Sequence, residues 1–258
     1  MLADLTAGAV QDAAERASTR PQAAVEQAAL LQPPALDALA ALAPTERVKI
    51  IAEIKRASPS RGELAAIADP ARHALLYEQG GASAISVLTE GRRFKGSLAD
   101  LEAVRAAVSI PVLRKDFIAT EYQVLEARAS GADLVLLIVA ALEQDVLSRL
   151  HALTIDLGMT PLVETHSTEE IDRAAEVGAR LIGINARNLS TFELDRDLFG
   201  RLAERIPAGA VKIAESAVLM PADVTHYRAA GADVVLIGEA LVTGDPAATL
   251  TAFLEAGS

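Results

Sequence analysis

Short apolar runs and longer stretches of helical periodicity take turns along this chain. The runs fall at 48–54 (VKIIAEI), 84–88, 110–114, 133–140, 161–164, 181–185, 211–214 and 233–238. Between them lie segments such as DPARHALLYEQGG, SLADLEAVRAAV and STEEIDRAAEVGA. Apolar runs bounded by turn residues mark buried strands, and apolar positions three to four apart mark amphipathic helices. Strands alternating with helices predict a parallel α/β fold. Eight such units in about 200 residues favour a (β/α)8 TIM barrel over an open doubly wound sheet. The first strand lacks a GxGxxG turn, which lowers a dinucleotide-binding reading.

Residues 1–31 are Ala-rich with helical spacing, and Pro21 marks the start of a second helix there. Pro33 and Pro34 break that segment before another helical stretch at 35–42. Residues 1–45 are therefore an N-terminal helical extension packed on a barrel spanning 46–258, within a single domain. Gly-Ala pairs at Gly81, Gly131, Gly178 and Gly231 precede the second, fourth, sixth and eighth strands. Glycine tolerates the left-handed conformation that ends helices. The spacing suggests a repeat of two βα units tied to the odd and even layers of a barrel interior.

Composition narrows the partners. Half of the 258 residues are apolar but only 3% are aromatic, so Ala, Val, Leu and Ile build the core. A formal charge of -11 with no basic block argues against a nucleic-acid surface. No apolar run reaches the roughly 18–20 residues of a membrane span. The N-terminus lacks a basic region followed by an apolar one, so a secretory signal is not expected. There is no cysteine, hence no disulfide or thiolate metal site. A soluble, cytoplasmic protein is the expectation.

In a parallel barrel, active sites lie at the C-terminal ends of the strands, where inward residues alternate. Same-parity positions there are Glu53 and Lys55, Lys115, Glu164, Asn185 and Glu215. One such charge is an ordinary solvated rim. Six imply a polar cluster above an apolar barrel, because buried charges persist only when paired or hydrogen-bonded. The cluster suits acid–base chemistry, although a structural ion-pair network is the bland alternative. Thr89, Glu90, Arg114 and Asp116 also stand at strand ends.

A second group suggests an anion site. The seventh strand ends in ESAVLM and the eighth in IGEALVTGDP. Loops in these places hold phosphate in many barrels. Ser216, Gly238 and Glu239 are the candidates, with the hydroxyl of Ser58 added from the loop after the first strand. The four histidines do not cluster: His73, His151 and His226 fall on predicted helices, and His166, near the mouth, is read as polar packing. No metal-ligand spacing is present, so neither a metal nor another cofactor is expected.

The motifs AEIKRASPSRG, SVLTE…F.GSL, PVLRKDFI, LVETH, GINARNL.TF..D, AES and LIGEALV, in this order, resemble indole-3-glycerol phosphate synthases from about residue 45 to 250. The resemblance implies ring closure of 1-(2-carboxyphenylamino)-1-deoxyribulose 5-phosphate to indole-3-glycerol phosphate, with loss of carbon dioxide and water, in tryptophan biosynthesis. By that likeness Lys115 is a general acid and Glu164 the base. Lys55 and Asn185 hold the substrate carboxylate and take part in dehydration, with the acid roles of the two lysines left open. Glu53 and Glu215 orient and balance the lysines, Ser216 matches another site position, and Arg187 faces the anthranilate end. The partner is then a small phosphorylated substrate, and a monomer is expected.

Three positions depart from the family pattern. Ala217 stands where glycine is usual; a positive φ there costs an L-residue roughly 1 kcal/mol and bears on a phosphate-binding amide. Ala186 replaces a common Asn or Ser, and Gly91-Arg92-Arg93 replaces a Pro-aromatic loop. Arg92 and Arg93 are read as solvated charges, with substrate attraction as the alternative. Two rival functions stay open. A phosphoribosylanthranilate isomerase-like enzyme would want a Cys and Asp pair, and cysteine is absent. A non-catalytic phosphate-binding barrel has no need of all six polar residues.

Overall fold

A computed structural model describes residues 1–258 except 60–61, 65–66, 189–190, 192 and 243–244. Ser60 and Arg61 of the first motif, and Leu189 and Phe192 of the fifth, lie outside the described residues. The apolar runs form strands β1 (Lys49–Ile54), β2 (Ala84–Leu88), β3 (Val112–Lys115) and β4 (Leu134–Ile138), then β5 (Thr160–Thr165), β6 (Leu181–Asn185), β7 (Val211–Glu215) and β8 (Val234–Ile237). Each pairs in parallel with the next, and β8 pairs with β1, closing a (β/α)8 barrel. The third strand begins later than its apolar run because Pro111 has no N–H for the ladder; it runs on to Lys115.

The helices are α1 (Leu2–Thr19), α2 (Gln22–Leu30), α3 (Ala38–Leu42), α4 (Pro70–Gln79), α5 (Leu98–Ala107) and α6 (Glu121–Ala129). They continue with α7 (Gln144–Asp156), α8 (Thr168–Glu176), α9 (Leu198–Leu202), α10 (Pro221–Ala229), α11 (Glu239–Val242) and α12 (Pro246–Ala256). The helix expected from residue 35 starts at Ala38, where the Asp37 carboxylate accepts the Ala40 N–H at 2.9 Å. Among the described residues no helix is long and apolar enough to cross a membrane.

The Gly-Ala pairs end helices by a shared device. The glycines have φ of 94°, 86°, 77° and 91° in chain order. Each following alanine N–H reaches a carbonyl of the last helical turn, as Ala82 does to Tyr77 at 3.0 Å and Ala232 to Tyr227 at 2.9 Å. The same cap, Gly158-Met159, precedes β5 through a bond from Met159 to Thr154 at 3.0 Å. The motif therefore follows helix ends and not the parity of the strands, which corrects the layered-repeat expectation.

Inside the barrel, Ile51, Ala84, Leu113, Leu162, Val211 and Val234 pack without solvent exposure or nearly so. Ala38 and Leu42 of α3 join that cluster beside the strand starts, with Lys49 Nζ donating to the Ala41 carbonyl at 2.8 Å. Leu2, Leu5 and Ala9 of α1 belong to the same cluster, and Leu5 lines the opposite, C-terminal mouth. Ala13, Val25, Tyr122 and Leu125 join α1 and α2 to α6. Each fully buried Leu or Val contributes roughly 1.5–3 kcal/mol, so the N-terminal helices are integral to both ends of the barrel.

Candidate active site

Strand parity aims Glu53, Lys115, Glu164, Asn185 and Glu215 into one mouth, and register sets them side by side. Ile138 pairs with Glu164, Asn185 with Glu215, and Glu215 with Leu236. Lys115 Nζ lies 2.5 Å from Glu215 Oε2 and 3.2 Å from Glu164 Oε2. Asn185 Nδ2 donates to Glu164 Oε1 at 3.1 Å, and Ser216 Oγ donates to Asn185 Oδ1 at 2.8 Å. Across the mouth Lys55 Nζ donates to Glu53 Oε1 at 2.7 Å, while Ser86 Oγ donates to Glu53 Oε2 at 3.3 Å.

One ammonium between two buried carboxylates cannot neutralise both, so the three groups titrate apart. Burial acts to strip the Lys115 proton, but Glu215, Glu164 and Glu53 outweigh it and raise its pKa. Burial also opposes charge on Glu164; Lys115, His166 and the Asn185 amide win and hold that carboxyl below its ordinary value. Glu215 bears the mismatch. Burial and the neighbouring Glu164 charge push it up to about 7 against the pull of Lys115. Near neutral pH the mouth thus holds a protonated amine beside an ionised carboxylate, the complementary states that acid and base work require.

The opposite side of the mouth is built from backbone turns. Ser216 and Ala217 have φ of 69° and 56°, so Ala217 does occupy the left-handed region where the family's glycine is usual. The turn is held by the Ser216 hydroxyl on Asn185 and by the Tyr227 hydroxyl, which donates to the Ser216 carbonyl at 3.3 Å. Burial pushes that phenol up to about 12, so it stays a donor. Gly238 precedes α11 and leaves room for the ion pair of β1: a Cβ there would lie 2.6 Å from Glu53 Oε1 and 2.9 Å from Lys55 Nζ. Ser58 sits on a two-stranded ribbon, Ala57–Ser58 with Gly62–Glu63, that leans over the same cleft. Arg187, two residues beyond β6, also lines it, its N–H donating to Asn185 Oδ1 at 3.0 Å. Ser58, Arg187, Ser216, Ala217, Gly238 and Glu239 thus share with the acid–base group one cleft of about 1130 Å³, open mouth included.

The family model described as indole-3-glycerol phosphate synthase matches residues 2–253. The chain belongs to the indole-3-glycerol phosphate synthase family. It is 70% identical to the indole-3-glycerol phosphate synthase of Leifsonia xyli subsp. xyli (strain CTCB07) over 98% of this chain and 97% of that one. It is 58% identical to the proteins of the same name from Rhodococcus opacus (strain B4), over 97% of this chain and 93% of that one, and Mycolicibacterium gilvum (strain PYR-GCK), over 100% and 95%.

Other strand-end residues of this synthase-family chain have partners outside the acid–base group. Thr89 Oγ1 donates to Asp116 Oδ2 at 2.6 Å and accepts from Arg114 Nε at 3.1 Å. Glu90 accepts the N–H groups of Arg92, Arg93 and Phe94 and so ties down the β2–α5 loop. Arg92 is not merely solvated: it pairs with Asp12 of α1 at 2.6 Å. Arg56 grips Asp100 and the Ile67 carbonyl, anchoring the loop after β1.

Two kinds of site residue escaped the sequence reading. Leu5, Phe94 and Phe117 wall the cleft, the two rings 6.2 Å apart; Leu5 carries no local mark, because its place depends on α1 folding back over the mouth. Gly183 is the other, since a Cβ there would collide with Glu215 Oε1. Its signal was a glycine inside the apolar run LIGIN, a usual sign that another group approaches the backbone.

Proposed function

We infer that this chain closes the pyrrole ring of 1-(2-carboxyphenylamino)-1-deoxyribulose 5-phosphate, forming indole-3-glycerol phosphate, carbon dioxide and water. The observation that carries the reading is the Lys115 ammonium set between Glu215 and Glu164 inside a cleft walled largely by apolar side chains. The aryl carbon bearing the carboxylate attacks the ketone carbon, and Lys115, kept protonated by its carboxylates, delivers a proton to the forming alkoxide. Breaking the bond to the carboxylate expels carbon dioxide and returns its electron pair to the ring, which restores aromaticity. Lys55 and Asn185 stand where they hold that carboxylate beforehand and assist departure of the hydroxyl as water. Glu164, ionised, takes the remaining proton.

Glu53 and Glu215 set the two ammonium groups in place. Phe94, Phe117 and Leu5 give the aryl ring an apolar wall, and Arg187 reaches its anthranilate end. Ser58, Ser216, Ala217, Gly238 and Glu239 form the phosphate end. The activity is that of a carbon–carbon lyase releasing carbon dioxide. A monomer is part of the proposal, and a phosphorylated metabolite as substrate supports a cytoplasmic place of action.

The test is indole fluorescence after mixing purified protein with the carboxyphenylamino-deoxyribulose phosphate, with no added metal. A rise at catalytic protein concentration is the expected result. Saturable binding without any rise would instead leave a phosphate-binding barrel that lacks the chemistry.

A further inference from the structure

His166 follows β5 two residues beyond Glu164, and the first turn of α8 grips it. Its own N–H donates to Glu170 Oε2 at 2.7 Å, and its Nδ1 lies 3.2 Å from the same oxygen. Glu170 is in turn fixed by α8, where Ser167 caps the helix and accepts the Glu170 N–H at 3.3 Å. Nδ1 therefore carries a proton toward Glu170. That leaves Nε2 as the atom facing the site: it lies 3.5 Å from Glu164 Oε1, buried and without a hydrogen bond among the described residues.

A neutral ring would point a lone pair at a carboxylate oxygen, two acceptors face to face in a buried place. A proton on Nε2 removes the conflict and turns the imidazole into a cation between two carboxylates. The charged groups around it agree: Glu170 on α8, Glu164 on β5 and, further off, Glu215 on β7, with Lys115 on the far side of Glu164. Burial lowers the affinity of the ring for that proton, and the Glu170 bond and these carboxylates raise it by more.

This matters because of what Lys115 does. When it gives up its proton, Glu164 loses the cation bonded to its Oε2, at the stage when Glu164 must stay ionised to act as base. Among the described residues, His166 is the remaining cationic group against Glu164, and it does not contact the cleft.

We propose that His166 is a positioning residue for the base: its imidazolium, anchored by Glu170, holds Glu164 in place and in its ionised form throughout the reaction. The proposal rests on the reading of Glu164 as the base. It extends that reading to a group which does not touch substrate.

Histidine-labelled protein followed by NMR as pH is varied tests it first, with the His166 signal assigned by its disappearance in His166→Gln. The expected result is titration above the ordinary histidine value, moving back toward that value in both Glu164→Gln and Glu170→Gln. Kinetics test it second. His166→Gln removes a cation from Glu164, so the carboxyl pKa rises and the acid limb of the kcat profile moves to higher pH. At neutral pH, kcat falls about tenfold, part of the roughly 10²–10⁴-fold ascribed to a positioned base, while KM holds. A merely structural role would lower thermal stability and leave the acid limb in place. Titration of His166 at the ordinary value, insensitive to Glu164→Gln, overturns the proposal, as does an unshifted acid limb. Lack of turnover in the wild-type chain would sink the functional reading instead, and the NMR titration would still decide the histidine.

Discussion

Arg114, Lys115 and Asp116 are consecutive, yet they serve two charge networks that lie back to back across β3. On the outer side Arg114, 1% exposed, meets Asp116 at 3.0 Å, the Gln123 carbonyl at 2.8 Å and Thr89 at 3.1 Å. It approaches Glu126 at 3.5 Å, and Glu126 takes two further bonds of 2.6 and 2.7 Å from Arg16 of α1. Two arginines there face two carboxylates. On the inner side Lys115 faces two carboxylates, and Glu215 Oε1 has no hydrogen-bond partner among the described residues. The outer network is balanced and joins helices to the barrel. The inner one is short of one cation, and Glu215 bears that deficit, pushed up to about 7 while Lys115 stays protonated and Glu164 ionised. Burial alone does not distinguish structural charge from chemical charge; satisfaction does.

Breaking each network in turn should give opposite signatures. Lys115→Ala is the largest effect: turnover falls on the order of 10⁴-fold, with substrate binding by calorimetry largely kept. Thermal stability stays level, because Glu215, already pushed up to about 7, takes up a proton once the ammonium is gone. Arg114→Met inverts this pattern. It strands buried Asp116, and the change costs about 3–5 kcal/mol in urea unfolding while kcat per folded molecule is little changed. A large loss of kcat in Arg114→Met, with stability kept, would erase the distinction between the two networks.

How much of this was legible follows from the same contrast. The strands and the polar mouth left local marks: apolar runs, Gly-Ala caps, and a parity that put Lys115, Glu164, Asn185 and Glu215 on one side. Parity also told Lys115 from its neighbours Arg114 and Asp116. What it could not give was partnership. That Arg92 holds Asp12, or that Arg114 reaches Glu126 and through it Arg16, depends on α1 crossing the barrel mouth, and nothing in residues 12–16 announces a partner some 80 to 110 positions away. Likewise the need for bare backbone at Gly183 comes from Glu215 on the neighbouring strand. Contacts between elements depend on register and packing, which a single sequence carries only implicitly.

Glu215 offers an intermediate effect that sharpens the idea of a missing cation. Its folded pKa of about 7 lies above the ordinary 4.5. A raised acid stabilises the fold fully below its unfolded value, and that stability is lost as pH climbs through its folded value. Between about pH 4.5 and 7 the wild type therefore loses stability that Glu215→Gln, which cannot ionise, does not lose. Relative to wild type, the variant gains on the order of 2–3 kcal/mol over that interval in chemical unfolding. A difference that is flat with pH would mean that Lys115 already neutralises Glu215.

The smallest effect probes the turn that follows Glu215 on the inner side. Ser216 and Ala217 both lie in the left-handed region, and Tyr227 and Asn185 hold them there. That conformation costs an L-residue roughly 1–2 kcal/mol. Ala217→Gly removes the cost at one position, but a glycine frees the unfolded chain and returns about 0.5–1 kcal/mol. The net gain is about 0.5 kcal/mol, a rise of roughly 1–2 °C in Tm. Because the turn already has the backbone that glycine would choose, KM for the phosphorylated substrate stays where it was. A fall in KM with no change in Tm would show the opposite: the alanine distorts the phosphate end, and the strain sits in the site and not in the fold.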